Sequence, residues 1–312
     1  MKIETNKVYK MEAIELLKQL PDNSVDLVLT DPPYNMTACE WDKPIDFQEL
    51  WKELKRVGKE NCAFVFTASQ PFTTDLINSN REMFKYELIW EKGKASNFLN
   101  VNNQPLKIHE NILVFSQGGI FNPQKQEISE SARKRLKRSF EGSKFKGEKT
   151  TLGSVEKLKV PRYKQGVGYP KSIIRFNREA NNQYKKQLFH PTQKPVELFK
   201  WLIKSYSNEN QLVLDCFAGS GTTAVACVNT GRNFICCDNN ANYVAITNKR
   251  LAQQSVTDFT SATPTLAEPK EFNRNLQVTP SASPKEATLP SVNSDNINGV
   301  INSQKRMVEK EK

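Results

Sequence analysis

Short apolar runs closed by turn residues recur through much of the chain. Val25 to Leu29 stops at Asp31-Pro32-Pro33-Tyr34, and Cys62–Phe66, Leu88–Trp90 and Asn111–Phe115 are each bounded by polar or turn residues. All are too short for a helix, and helical periodicity separates them, as in Glu12 to Leu20. This alternation predicts an α/β fold whose sheet is buried on both faces. The pattern returns over residues 190–254. Pro195 is placed to open a helix whose Val196, Phe199, Leu202, Ile203 and Tyr206 share one face. Leu212-Val213-Leu214 reads as a buried strand closed by Asp215, and Gly219-Ser220-Gly221 turns into a small-residue helix, Thr222 to Thr230, capped by Gly231. A further strand, Asn233 to Cys237, ends at Asp238, and Asn239 or Asn240 caps a last helix running to about Leu251.

The stretch between these blocks has weak periodicity, scattered aromatics and several glycines. Four segments follow: 1–119, 120–189, 190–254 and a tail, 255–312. In the tail Ser, Thr, Pro, Asn and Gln replace large apolar residues, a composition expected to stay disordered because it cannot repay its ordering entropy.

Charge changes the picture more than composition does. Between Phe121 and Phe189 there are 18 Lys and Arg against 6 Asp and Glu, a surplus that exceeds the net +11 of the whole chain. A block like that between two folded segments is expected to meet a polyanion. Arg133, Lys134, Arg135, Lys137, Arg138, Arg162 and Lys164 are the candidate residues for that contact. The Met1-Lys2-Ile3-Glu4 start lacks the apolar run of a signal peptide, and no apolar stretch is long enough for a membrane span. The six cysteines form no CxxC pair and several lie in strand-like runs, so free buried thiols, a reducing cytoplasm and no metal centre are expected.

Asp31 to Tyr34 stands where open α/β sheets bind ligands, at the carboxyl end of a strand. Asp31 offers a carboxylate, and neither proline donates a backbone hydrogen bond, so the stretch presents acceptors held in a stiff chain. Two fixed acceptors suit the two N–H groups of an exocyclic base amine, and Tyr34 suits the face of its ring. Asp-Pro-Pro also builds ordinary rigid turns. Downstream, Asp215-Cys216-Phe217-Ala218-Gly219-Ser220-Gly221-Thr222 has the strand-to-helix setting of a nucleotide loop, without the third glycine of the dinucleotide fingerprint or the Lys of a phosphate loop. Asp238 lies at the end of the next strand, where a carboxylate can meet ribose hydroxyls. Carboxylates and no Lys suit S-adenosylmethionine, which lacks phosphate and carries cationic groups, better than ATP or NAD.

Together these residues resemble the amino-methylating DNA methyltransferases that act on adenine N6 or cytosine N4. Asp31, Pro32, Pro33 and Tyr34 look like their catalytic motif, and Phe217, Ala218, Gly219, Ser220 and Gly221 look like their cofactor motif. His190-Pro191-Thr192-Gln193-Lys194-Pro195 is similar to the segment that contributes to the methionine end of the cofactor pocket. The resemblance implies cofactor contacts at Thr192, Lys194, Asp215, Phe217 to Thr222 and Asp238. The order, catalytic motif, basic region, cofactor motif, is that of the beta group. The resemblance departs at Lys10-Met11-Glu12, where many relatives carry Gly-Asp, and at Cys216 and Asp238, which replace a frequent proline and glutamate.

The fold so implied is a Rossmann-like methyltransferase sheet, mixed, seven-stranded and permuted, with an inserted basic recognition region. The implied activity is direct transfer from S-adenosylmethionine to adenine N6 on a base flipped out of double-stranded DNA. The host would be a bacterial or phage-infected cell, and the resemblance allows a homodimer and a cognate restriction endonuclease. Two alternatives stand beside it: a cytosine-N4 enzyme, and a DNA-binding regulator that kept the fold without the chemistry. A nuclease has only chance triplets such as Glu53-Leu54-Lys55 to support it.

Overall fold

The computed structural model describes residues 2–36, 44–96, 98–142, 166–177 and 193–260. Strands β1 (Lys7–Lys10), β2 (Val25–Thr30), β3 (Gly58–Ala68), β4 (Phe84–Ser96) and β5 (Lys107–Phe115) come from the first part of the chain. The short β6 (Gln126–Glu127) and β7 (Val167–Gly168) pair with each other, and β8 (Ile173–Phe176), β9 (Leu212–Asp215) and β10 (Asn233–Asp238) follow. The helices are α1 (Ala13–Gln19), α2 (Phe47–Val57), α3 (Phe72–Ser79), α4 (Glu130–Gly142), α5 (Val196–Tyr206), α6 (Thr222–Val228) and α7 (Ala241–Thr260).

The main sheet runs β1-β10-β9-β2-β3-β5-β4-β8. The first five strands are parallel, β5 is antiparallel to both β3 and β4, and β8 lies parallel to β4. The seven expected strands are therefore present in a mixed sheet, and the basic region adds an eighth at its edge. Burial on both faces shows in the side chains. Val28 of β2 packs with Leu16, Trp51, Phe64 and Phe66 on one face, while its neighbours Leu27 and Leu29 pack with Val65, Trp90, Leu202 and Ile203 on the other. Trp51 anchors the first core among Phe64, Phe66 and Phe115, at ring-centroid distances of 5.8, 5.4 and 5.0 Å. Such aromatic clusters stabilise beyond their buried area.

The local signals explain most boundaries. Asp46 caps α2 by accepting from the N–H groups of Gln48 and Glu49, Pro195 precedes the first residue of α5, and Asn240 accepts from Asn242 N–H at the start of α7. The last helix continues to Thr260, past the expected end near Leu251, since neither Gly nor Pro interrupts it. Strand β1 has only Val8 and Tyr9 as apolar content, yet it closes the parallel edge against β10. Helix α4 arises in the region of weak periodicity because Ser129 caps it and Arg, Lys and Leu favour helix. The remainder of the tail lies outside the described residues.

From β9 the chain crosses through α6 to β10 on one side, and from β2 through α2 to β3 on the other. The strand order therefore reverses between the neighbours β9 and β2, and the crevice at their carboxyl ends is where such sheets bind ligands.

Candidate active site

Both motifs open into one cavity of about 440 Å³ at that reversal, a volume suited to a nucleoside-sized ligand. Asp31, Pro32, Pro33 and Tyr34 line one side, and Asp215, Phe217, Ala218, Gly219, Ser220, Thr222 and Asp238 the other.

Asp31 follows β2 directly and is held on both oxygens. Oδ1 accepts from the Tyr34 hydroxyl at 2.8 Å and from the Thr67 hydroxyl. Oδ2 accepts from Lys194 Nζ at 2.6 Å. The Tyr34 ring stacks on Phe72 at 5.1 Å between centroids with a 29° interplanar angle, which fixes its plane. Burial, then the charges of Asp31 and Glu110, push the Tyr34 hydroxyl well above the ordinary tyrosine range, so it remains a donor. Lys194 Nζ lies 3.5 Å from Glu110 Oε2 and 5.6 Å from the centre of the Tyr34 ring, and Lys92 Nζ lies 3.1 Å from Glu110 Oε1. The lysine that sequence placed at the cofactor thus directs its ammonium to the Asp31 carboxylate.

The glycine turn is tied from three directions. Asp238 Oδ2 accepts from Gly219 N–H at 2.9 Å while its Oδ1 accepts from Asn240 N–H at 2.8 Å. Thr247 of α7 donates to the Gly219 carbonyl at 3.2 Å, and Arg250 donates to the Ser220 carbonyl. Gln193 accepts from the Ser220 hydroxyl, and the Lys194 carbonyl accepts from the Thr222 hydroxyl. The two glycines serve different ends. Gly219, at φ +51°, would point a β-carbon into space with no protein atom within 4 Å, whereas one on Gly221, at φ +80°, would collide with the Thr247 side chain. Gly221 does not line the cavity; it lets α7 approach.

Asp215 is 2 % exposed and its contacts are internal: the hydroxyls of Thr30 and Thr223 and the N–H of Phe217. It braces the loop. Beside Asp238 stands an acid that the sequence comparison left unassigned: Glu12 lines the cavity, accepts from Asn239 Nδ2 at 3.1 Å, and is adjacent to Met11, whose N–H donates to the Asp238 carbonyl.

The basic candidates occupy another surface. Arg133, Lys134, Arg135, Lys137 and Arg138 are all exposed on α4, which contributes nothing to the cavity lining. Lys134 pairs with Glu130 at 2.8 Å. Arg162, Lys164 and Thr192 lie outside the described residues. Among the described residues there is no group of His, Cys, Asp and Glu that could hold a metal ion, and no helix long and apolar enough to cross a membrane.

Residues 25–249 match the N6/N4 methyltransferase family, described as DNA methylase. The chain is 30% identical over 278 residues to the type II methyltransferase M1.MboII of Moraxella bovis, an alignment covering 81% of this chain and 99% of that one. The solved M1.HpyAVI–SAM complex has the same fold, with a TM-score of 0.52 at 24% identity, over 78% of this chain and 98% of that one. So does the cytosine-N4-specific PvuII DNA methyltransferase, with a TM-score of 0.53 at 17% identity, over 80% and 89%.

Proposed function

The chain belongs to the N6/N4 DNA methylase family, and from that premise we propose that it methylates adenine at N6 in double-stranded DNA, with S-adenosylmethionine as donor. The observation that carries the adenine reading is the carboxylate of Asp31 at the first position of the catalytic motif, held at the end of β2 on the cavity wall. By the family resemblance, cytosine enzymes more often carry a serine there.

The cavity suits the cofactor on three counts. Gly219 leaves space where any side chain would intrude, the wall at Asp238 and Glu12 is acidic, and Met11, Ile45, Leu50 and Phe217 supply apolar surface. Asp238 would hold the ribose, Glu12 and Phe217 the adenine, and the turn from Gly219 to Thr222 the methionine end. When bound, S-adenosylmethionine supplies the electrophilic methyl of a sulfonium.

The chain's own residues prepare the nucleophile. The target nitrogen lies inside the base stack, so the base must swing out to reach Asp31, at about a few kcal/mol for unstacking. Asp31 accepts one amino hydrogen and the Pro32 carbonyl the other, which draws the nitrogen lone pair out of the ring. Tyr34, fixed by Phe72, carries the ring face. Attack of nitrogen on the methyl is direct, with no covalent enzyme intermediate, and the amino proton released afterwards has Asp31 as its nearest base. Exposed α4 supplies phosphate contacts.

Nucleoside mass spectrometry of DNA methylated by the purified protein tests the assignment. N6-methyladenine is expected. N4-methylcytosine as sole product would transfer the same geometry to the other amine, and 5-methylcytosine would refute the mechanism.

A further inference from the structure

Lys194 belongs by sequence to the segment associated with the cofactor, and its backbone stays there, with its carbonyl accepting from Thr222 of α6. Its side chain goes elsewhere. We propose that Lys194 is a positioning residue for the catalytic carboxylate: it selects the Asp31 oxygen, and the lone pair on it, that faces the target amine. The proposal rests on the reading of Asp31 as acceptor and holds for adenine or cytosine alike.

Counting donors gives the argument. A carboxylate oxygen has two lone-pair sites. Oδ1 of Asp31 receives two hydroxyls, from Tyr34 and Thr67, and is filled. Oδ2 receives Lys194 Nζ at 2.6 Å and, among the described residues, no second donor. The acceptor presented to a base amine is therefore the second lone pair of Oδ2, and its direction is set by the bond to Lys194.

Lys194 is itself held. Its side chain is 5% exposed, and Glu110 Oε2 lies 3.5 Å from Nζ. Glu110 is tethered in turn by Lys92. Asp31, Lys194, Glu110 and Lys92 form an alternating row of two carboxylates and two ammonium groups, which keeps the buried cations compensated. The same row spans the sheet, because Lys92 and Glu110 come from the β4–β5 hairpin and Asp31 from the end of β2. The arrangement also explains why a lysine is found there: its long stem lets one residue fasten its backbone to the cofactor helix and its charge to the catalytic motif.

The test compares Lys194→Met and Lys194→Arg with wild type, by single-turnover methyl transfer under saturating cofactor, calorimetric affinity for S-adenosylmethionine, and thermal unfolding. Lys194→Met is expected to slow the transfer step by about 100-fold, the size seen when one oriented donor is removed from a site. Cofactor affinity should stay within about threefold, and Lys194→Arg should recover at least tenfold of the lost rate. Two results overturn the proposal: a cofactor affinity weakened tenfold or more with the transfer rate kept, which would return Lys194 to the cofactor, or no change in either. If Lys194→Met does not fold, Lys194→Arg decides alone, since a positioning role predicts a slower step at unaltered cofactor affinity. Failure of the product assignment would appear separately, in the methylated nucleoside made by wild type.

Discussion

Thr30 and Asp215, 185 positions apart in the chain, share a buried hydrogen bond of 2.6 Å from the Thr30 hydroxyl to Asp215 Oδ1. It joins the ends of β2 and β9, the two strands between which the sheet reverses, and so fixes the catalytic motif against the cofactor turn. Burial pushes the Asp215 carboxyl up to about 6, outweighing the Thr223, Thr30 and Phe217 donors that act in the opposite direction. Because the folded value lies above the ordinary one, folding favours the protonated acid. Its stabilising contribution is complete below about pH 4 and declines as pH rises through 6. Urea unfolding of wild type and Asp215→Asn should therefore diverge in favour of wild type as pH falls from 7 to 5, by about 1.3 kcal/mol of the roughly 3 kcal/mol that a shift of this size reaches below pH 4. A difference independent of pH would contradict this.

Asp31→Asn replaces one acceptor by a donor without changing shape. Transfer should fall by at least 100-fold while calorimetric affinity for S-adenosylmethionine stays within about threefold. If affinity collapsed and the rate of bound enzyme persisted, Asp31 would be a cofactor residue.

The two glycines of the turn should fail differently. Gly221→Ala drives a β-carbon into Thr247 at a left-handed backbone position, so a loss of about 2–3 kcal/mol in stability is expected by chemical denaturation. The β-carbon of Gly219→Val has no protein atom within 4 Å, and beyond about 1–2 kcal/mol of backbone strain its effect should appear as cofactor affinity lost by tenfold or more. Equal effects of both on stability would remove the distinction.

Helix α4 presents five cations to solvent. Reversing Arg133, Lys137 and Arg138 should weaken binding to all duplexes alike and flatten the dependence of log Kd on log salt by about one unit per lost phosphate contact. An unchanged slope would place the phosphate contacts elsewhere.

The cysteines at 62, 216, 227, 236 and 237 are buried, and burial raises every one of these thiols, Cys62 up to about 12. None should react with maleimide in the folded enzyme, and replacement of each by alanine or serine should leave a measurable transfer rate. Abolition of transfer by any one of them would point to thiol chemistry.

What the sequence made legible was whatever is contiguous. Asp31 to Tyr34 and Phe217 to Gly221 are consecutive residues at strand ends, so local pattern located them, and the apolar runs located the central strands. Partners brought together by the sheet left no such trace. Thr67, Glu110 and Lys92 are ordinary strand residues until β3, β4 and β5 align them, and Lys194 reaches Asp31 across 163 positions. Strand β1 was hidden for a different reason: two apolar residues between lysines suffice for an edge, where only one side is paired.

Strand β8 joins the basic region to the body of the sheet. Ile174 is buried in the core, the Trp90 indole donates to the Phe176 carbonyl at 3.0 Å, and Arg175 pairs with Glu91 at 2.7 Å. The part of the chain expected to choose the DNA sequence is thus not a detachable cassette. Recombination that brought in a relative's version would also import one rung of the sheet, and only versions whose strand fits β4 would leave the enzyme folded. Changes of sequence preference in this lineage are therefore expected to accumulate by substitution around β8, with wholesale exchange filtered by the fit of a four-residue strand.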